Sequence, residues 1–280
     1  MQQNASQTRA ALVVAHPGHE LMVHGWLEIA RPCVFVLTDG SGRSEQSRLS
    51  STTRVLERAG ASTGSLYGPL TDAAAYRSIL NHEFEVFINC VRELTAAFVN
   101  QQIDFVAGDA LEGYNPMHDV CRLVINAAVA VTRREHGREI ANVDFSLINH
   151  SDAIAEPPNA NAITLQLDEA ALARKISVAR GYAELAGEVS SALSKSSIEA
   201  FRVERLRPLD SDWAESTERP ESSARRGDEK PFYEQYGEKQ VAAGHYMQVL
   251  RYDEHIAPLA DALRSHSEEG SRKRRSLEPS

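Results

Sequence analysis

Ala11-Leu-Val-Val-Ala-His16-Pro-Gly-His-Glu20 is an apolar run cut off by two histidines that bracket Pro17 and Gly18. The run is short, rich in branched residues and ended by Pro-Gly, which predicts a buried first strand that turns sharply at its carboxyl end. Residues 20–30 follow with Leu21, Trp26, Leu27 and Ile29 and stop before Pro32, as a helix of about three turns would. Val34-Phe-Val-Leu-Thr38 then reads as a second buried strand. Strand, helix, strand at this spacing is a βαβ unit with a right-handed crossover, so the fold class is α/β with a mostly parallel central sheet. In open sheets of this kind ligands sit at the carboxyl ends of the strands. That is where His16 and His19 leave the sheet.

Downstream, residues 44–59 read as a polar-faced helix, 65–67 as a short strand and 72–100 as one or two helices. Residues 103–107 are the next strand, and Gly108-Asp-Ala-Leu-Glu-Gly-Tyr-Asn-Pro-Met-His118 leaves it at the same edge. A long helix over 119–134, a strand over 142–148 and a helix over 167–193 complete the sheet-bearing part. The loop after the fourth strand offers Asp109, Glu112, Tyr114, Asn115 and His118 to that edge. Asp39, at the end of the second strand, either forms the turn before Gly40 or supports a ligand or a metal-bound histidine.

His16, His19 and His118 thus fall on strand-to-helix turns of one sheet. Two or three imidazole nitrogens, plus a position left to water, are what catalytic zinc requires. The competing reading, hydrophilic loop histidines, weakens once a third histidine shares the edge. Cys121, one helical turn past His118, reads as a core residue, as do Cys33 and Cys90. An odd cysteine count with no Cys-x-x-Cys pair suits reduced thiols and predicts no disulfide.

At 280 residues with 42% hydrophobic content the chain can bury a large core, and its net charge of −9 gives no general attraction to nucleic acid or anionic lipid. No apolar stretch has the length of a membrane span and the polar start lacks signal-peptide regions, so a cytoplasmic protein is expected, with a homo-oligomer open. Four parts are predicted: a sheet-bearing domain over 1–200, a flexible loop or lid over 201–230 where Ser, Glu, Arg and Pro dominate, a helical and aromatic segment over 231–264 packed on that domain, and a charged, disordered tail over 265–280. In the third part Tyr233, Tyr236, His245 and Tyr246 read either as substrate contacts or as an amphipathic packing helix.

Ala-His-Pro at the first turn, Leu-Thr-Asp-Gly after the second strand and Pro-x-His-Asp at the mid-chain helix start together resemble the GlcNAc-phosphatidylinositol de-N-acetylase family, called PIG-L or LmbE-like. The resemblance covers roughly residues 10 to 150. It implies a Rossmann-like three-layer sandwich and a zinc-dependent hydrolase that removes acetyl groups from N-acetylglucosamine conjugates. His16 falls on the first zinc ligand and His118 on the last, while His19 stands where the family has a ligand aspartate. Gly18 stands where the family has its general base, Asn115 where it has a second histidine and Met117 where it has an aspartate.

Three neutral histidines leave a metal more electrophilic than a set with a carboxylate, which acidifies bound water with less need of a base. Glu112 or Asp109 would take the proton, Asn115 would polarise the carbonyl, and Arg43, Arg48, Asp39, Tyr114 and His245 would bind a small-molecule substrate, an N-acylated sugar or conjugate. The alternative is a lapsed member that holds metal and ligand without hydrolysis. Iron or another divalent metal in place of zinc is a third reading, since histidines do not themselves choose the metal.

Overall fold

The computed structural model describes residues 9–148, 161–209 and 230–275. Strand β1, Ala10–Val14, is buried along its whole length because it lies in the middle of a sheet covered on both faces. It pairs in parallel with β2 (Cys33–Thr38) and with β4 (Phe105–Asp109). β2 carries β3 (Ser62–Leu70) and β4 carries β5 (Ala141–Phe145), again in parallel. Two antiparallel strands, β7 (Val203–Pro208) and β6 (Ile163–Gln166), complete the seven-stranded order β3-β2-β1-β4-β5-β7-β6. The chain runs outward from β1 to β3, returns, and starts outward again at β4. The crevice at the carboxyl ends of β1 and β4 is therefore the topological switch point of the sheet.

Alternate residues of the strands feed two cores. Ala11, Val13, Phe35 and Leu37 face α4 (Glu85–Asn100), α5 (Pro116–His136) and the carboxyl-terminal helices. Leu12, Val14, Val34 and Val36 face α1 (His24–Ala30) and α2 (Leu49–Ala59). The result is a three-layer α/β sandwich, as the βαβ reading requires. α3 (Asp72–Leu80) starts at Thr71, whose hydroxyl accepts from the Ala74 amide, and α5 starts at Asn115 with Pro116 in its first turn. After β6 come α6 (Glu169–Arg180) and α7 (Ala186–Lys195), and after residue 230 come α8 (Phe232–Ala242) and α9 (Ala257–Arg275).

Several boundaries differ from those read off the sequence. The helix expected over 20–30 opens as a 3-10 turn, His19–Val23, before α1. The single helix expected over 167–193 is broken between α6 and α7, where Tyr182 turns inward and bonds the Thr52 hydroxyl at 2.8 Å. β3 runs nine residues rather than three because the continuous edge of β2 draws its Gly-, Ser- and Pro-rich sequence into pairing, with register shifts. β7 lies beyond residue 200, so the sheet runs past that expected boundary. The lid expected over 201–230 otherwise falls mainly on residues 210–229, outside the described residues. Residues 265–275 of the expected disordered tail continue α9, whose preceding turns bury Leu259, Ala260 and Leu263 in the core. Propagating an anchored helix adds one backbone bond per residue with no new nucleation cost.

Candidate functional site at the switch point

Pro17 and Gly18 end β1 abruptly and lead into the 3-10 turn that carries His19. Gly18 has φ 106°, a conformation that side-chain-bearing residues rarely adopt. A Cβ built there would also lie 2.4 Å from Leu185 Cδ1, in the 3-10 turn Ala183–Leu185. Glu20 closes the turn by accepting from the Gly18 amide at 2.7 Å and from the Thr52 hydroxyl at 2.8 Å. Across the crevice Gly40 passes so close to Pro17 that a Cβ would stand 2.8 Å from its ring.

The three histidines meet. Ring centres lie 5.3 Å apart for His16 and His19, 5.5 Å for His16 and His118, and 4.6 Å for His19 and His118. Three imidazoles on one tetrahedral ion, with metal–nitrogen bonds of about 2 Å, have ring centres roughly 5 Å apart. His16 Nε2 and His118 Nδ1 are buried without a hydrogen-bond partner among the described residues. Burial, with His19 and His16 adding to it, holds the His118 pKa well below the ordinary imidazole value, so His118 is the neutral form that a metal needs. Among the described residues, no group of three or more His, Cys, Asp or Glu side chains is placed so that it could hold a metal ion as the side chains stand. The fit is one of ring spacing and orphaned nitrogens.

Two of the rings are oriented by carboxylates from other elements. Asp109, the last residue of β4, places Oδ2 2.9 Å from His19 Nδ1 and accepts from the Ala15 amide at 2.7 Å. Asp72, at the start of α3, lies 3.1 Å from His16 Nδ1, and Thr38 Oγ1 lies 2.8 Å from the same nitrogen. Burial would raise the Asp72 carboxyl, but the bond and charge of His16, the Thr38 hydroxyl and the Gly42 amide hold it at about 2. Such outer partners fix the ring orientation of ligating histidines. Asp72 and Thr38 escape a sequence reading because Thr71-Asp72 looks only like a helix start. The one available signal was that β3 delivers its end to the same sheet edge.

The remaining expected residues are scattered around this centre. Asn115 uses Oδ1 twice, accepting from the Met117 amide at 2.8 Å and the Tyr76 hydroxyl at 2.9 Å. Glu112 accepts from the Ser146 hydroxyl at 2.6 Å and from the Leu147 amide, at the end of β5. Burial pushes its carboxyl up to about 7 despite those bonds. Asp119 is likewise raised by burial to about 7 while Oδ1 receives the Glu112 and Gly113 amides. Asp39 forms the turn before Gly40, accepting from the Ser41 amide at 3.0 Å. Arg48 lies over that glycine loop, and His245 is exposed with Nδ1 3.1 Å from Gln240 Oε1. The side chain of Arg43 is outside the described set. Cys121 is buried with Sγ against the Val13 carbonyl, as a core residue.

Beneath the histidines Arg122, one turn after His118, is buried and donates to the Asp109 carbonyl at 2.6 Å, Asn142 Oδ1 at 2.9 Å and the Val143 carbonyl at 3.1 Å. It ties α5 to the end of β4 and to β5.

The chain matches no protein-family model and no curated protein sequence. Among solved structures it is similar to the antimicrobial A40926 pseudoaglycone deacetylase Dbv21, with a TM-score of 0.51 and 19% identity over 72% of this chain and 97% of that one. It is also similar to a deacetylase of the teicoplanin biosynthesis pathway solved with teicoplanin, with a TM-score of 0.50 and 10% identity over 72% of this chain and 98% of that one. The likeness is one of fold. No helix among the described residues is long and apolar enough to cross a membrane.

Proposed function

We propose that this chain is a metal-dependent amide hydrolase acting on an N-acylated sugar or a conjugate of one. The observation that carries the reading is the convergence of His16, His19 and His118 at the switch point, with Asp72 and Asp109 orienting two of the rings. The fold likeness to two deacetylases supports the same reaction class. A zinc ion held by the three histidines supplies a Lewis acid and an acidified water. Asn115, with Oδ1 committed to Met117 and Tyr76, turns its amide nitrogen to the substrate carbonyl as a donor. Asp109 is the better proton acceptor of the two carboxylates expected from sequence. Its Oδ1 is buried and unpartnered among the described residues, whereas Glu112 is bound to Ser146 and Leu147. Arg48 at the glycine loop is left to bind substrate hydroxyls.

A second reading, a member that binds metal and sugar without turnover, is favoured by one observation. Gly18 and Leu185 together close the position at which a general base is expected from the family resemblance. Metal content by mass spectrometry for wild type and His19→Ala, with acetate release from a panel of N-acetylated sugars, separates the two. About one zinc per chain, lost in the variant, with acetate released, supports the hydrolase; zinc without turnover supports the binder; protein that takes up no metal rules out both.

A further inference from the structure

Helix α3 turns one stripe inward. Asp72, Ala75, Tyr76 and Ile79 fall at i, i+3, i+4 and i+7, and Ala75 and Ile79 are fully buried in the core on that stripe. The two polar members are both spent on the candidate site. Asp72 uses both carboxylate oxygens, Oδ1 at 3.1 Å from His16 Nδ1 and Oδ2 accepting from the Gly42 amide at 2.7 Å. One turn on, the half-buried Tyr76 donates its hydroxyl to Asn115 Oδ1 at 2.9 Å, across 39 positions of sequence. Residues four apart lie on the same helix face, so α3 carries both partners as one piece.

Asn115 caps α5 three residues before His118, with Oδ1 accepting from the Met117 amide at 2.8 Å. One bond on that oxygen leaves the side-chain amide free to pivot about it, because the last torsion of an asparagine is soft. A second donor on the same oxygen changes this, since donors to a carbonyl oxygen prefer to lie in the plane of its amide. With Met117 and Tyr76 both on Oδ1, the plane is set and Nδ2 points away from the two donors. Burial, and then the charge of Asp72, push the Tyr76 hydroxyl up, so it keeps its proton for Asn115 throughout the neutral range. The family resemblance leads one to expect a histidine and an aspartate at positions 115 and 117, but the Met117 side chain has no oxygen or nitrogen to offer Asn115. Tyr76 supplies the supporting bond from another element.

We propose that Tyr76 is a positioning residue: its hydroxyl fixes the plane of the Asn115 amide, so that Nδ2 stands ready to donate to the substrate carbonyl oxygen as it gains charge. The inference rests on reading the three-histidine centre as the site of amide hydrolysis. Its test is Tyr76→Phe, which keeps the ring and its packing and removes only the bond to Asn115. In acetate release from the panel of N-acetylated sugars, kcat is expected to fall roughly five- to twentyfold, with KM and zinc content unchanged. In the Asn115→Ala background, itself down about a hundredfold, the same substitution should change nothing further. An unchanged kcat, or a fall that persists without Asn115, overturns the proposal. Motion of Asn115 is read independently of turnover, from the order parameter of its isotope-labelled side-chain amide, identified by its loss in Asn115→Ala. That parameter is about 0.85 for a rigid amide and is expected to drop to about 0.6 in Tyr76→Phe; no drop overturns the proposal whatever the kinetics. Wild type that releases acetate from no sugar fails the hydrolase reading, and the order parameter then judges Tyr76 alone, a drop keeping it as the residue that sets Asn115 in a binding site.

Discussion

His19 Nδ1 lies 2.9 Å from Asp109 Oδ2, across ninety positions of sequence, and the same oxygen receives the Ala15 amide. The carboxylate thereby fixes both the end of β1 and the ring that leaves it. Asp109→Asn keeps the shape and removes the charge that sets the ring. Zinc affinity is expected to fall about 10- to 100-fold, a typical loss for the outer partner of a ligating histidine. Competition with a chromogenic chelator measures it, and unchanged affinity would count against the orienting role.

Glu112 makes stability depend on pH. Its carboxyl titrates near 4.5 when unfolded and about 7 in the folded chain, pushed up by burial. Between those values the unfolded chain releases a proton that the folded chain retains, so Glu112 lowers stability progressively as pH rises through this window. Glu112→Gln keeps an oxygen for Ser146 and Leu147 and abolishes the titration. Relative to wild type it should gain about 1–3 kcal/mol between pH 4.5 and 8. Urea melts across that range check it; parallel pH profiles would show that the group does not titrate as described.

Lys175 and Glu204 form a buried pair at 2.8 Å, and Glu204 also receives the Gly25 and Trp26 amides at the start of α1. Lys175→Met strands a carboxylate in the core. A loss of about 3–5 kcal/mol is expected, with much of it recovered in the Lys175→Met, Glu204→Gln double variant. Chemical denaturation of the four proteins gives the coupling, and additive losses would sink the account.

Restoring an aspartate at Gly18 should not restore a base. The backbone there has φ 106° and Leu185 fills the space a side chain would need. Gly18→Asp is expected to cost about 1–3 kcal/mol of stability with no gain in acetate release. If turnover rises in Gly18→Asp without loss of melting temperature, the crowding at Leu185 is not limiting.

The sheet and its ligand edge were readable because parallel strands covered on both faces are continuous apolar runs, and because histidines at the ends of such runs share one edge. β7 was not, since Val203-Glu-Arg-Leu-Arg-Pro208 carries charges whose partners, Lys175 and Asp144, lie far away in sequence. The same limit hid Asp72, which resembles a helix-start residue until β2 and β3 bring it to His16. Leu185 was hidden more deeply. Its role follows only from where the break between α6 and α7 lands, and that break depends on Tyr182 finding Thr52.

Arg122 has a wider consequence. It binds the last residue of β4 and reaches β5 from the helix that carries His118, while Thr38 and Asp109 tie the other two histidines to β2 and β4. No histidine of the trio can wander without breaking into the central sheet. The trio therefore has no private route to failure: on heating, its disassembly and the melting of the sheet are expected as one cooperative event.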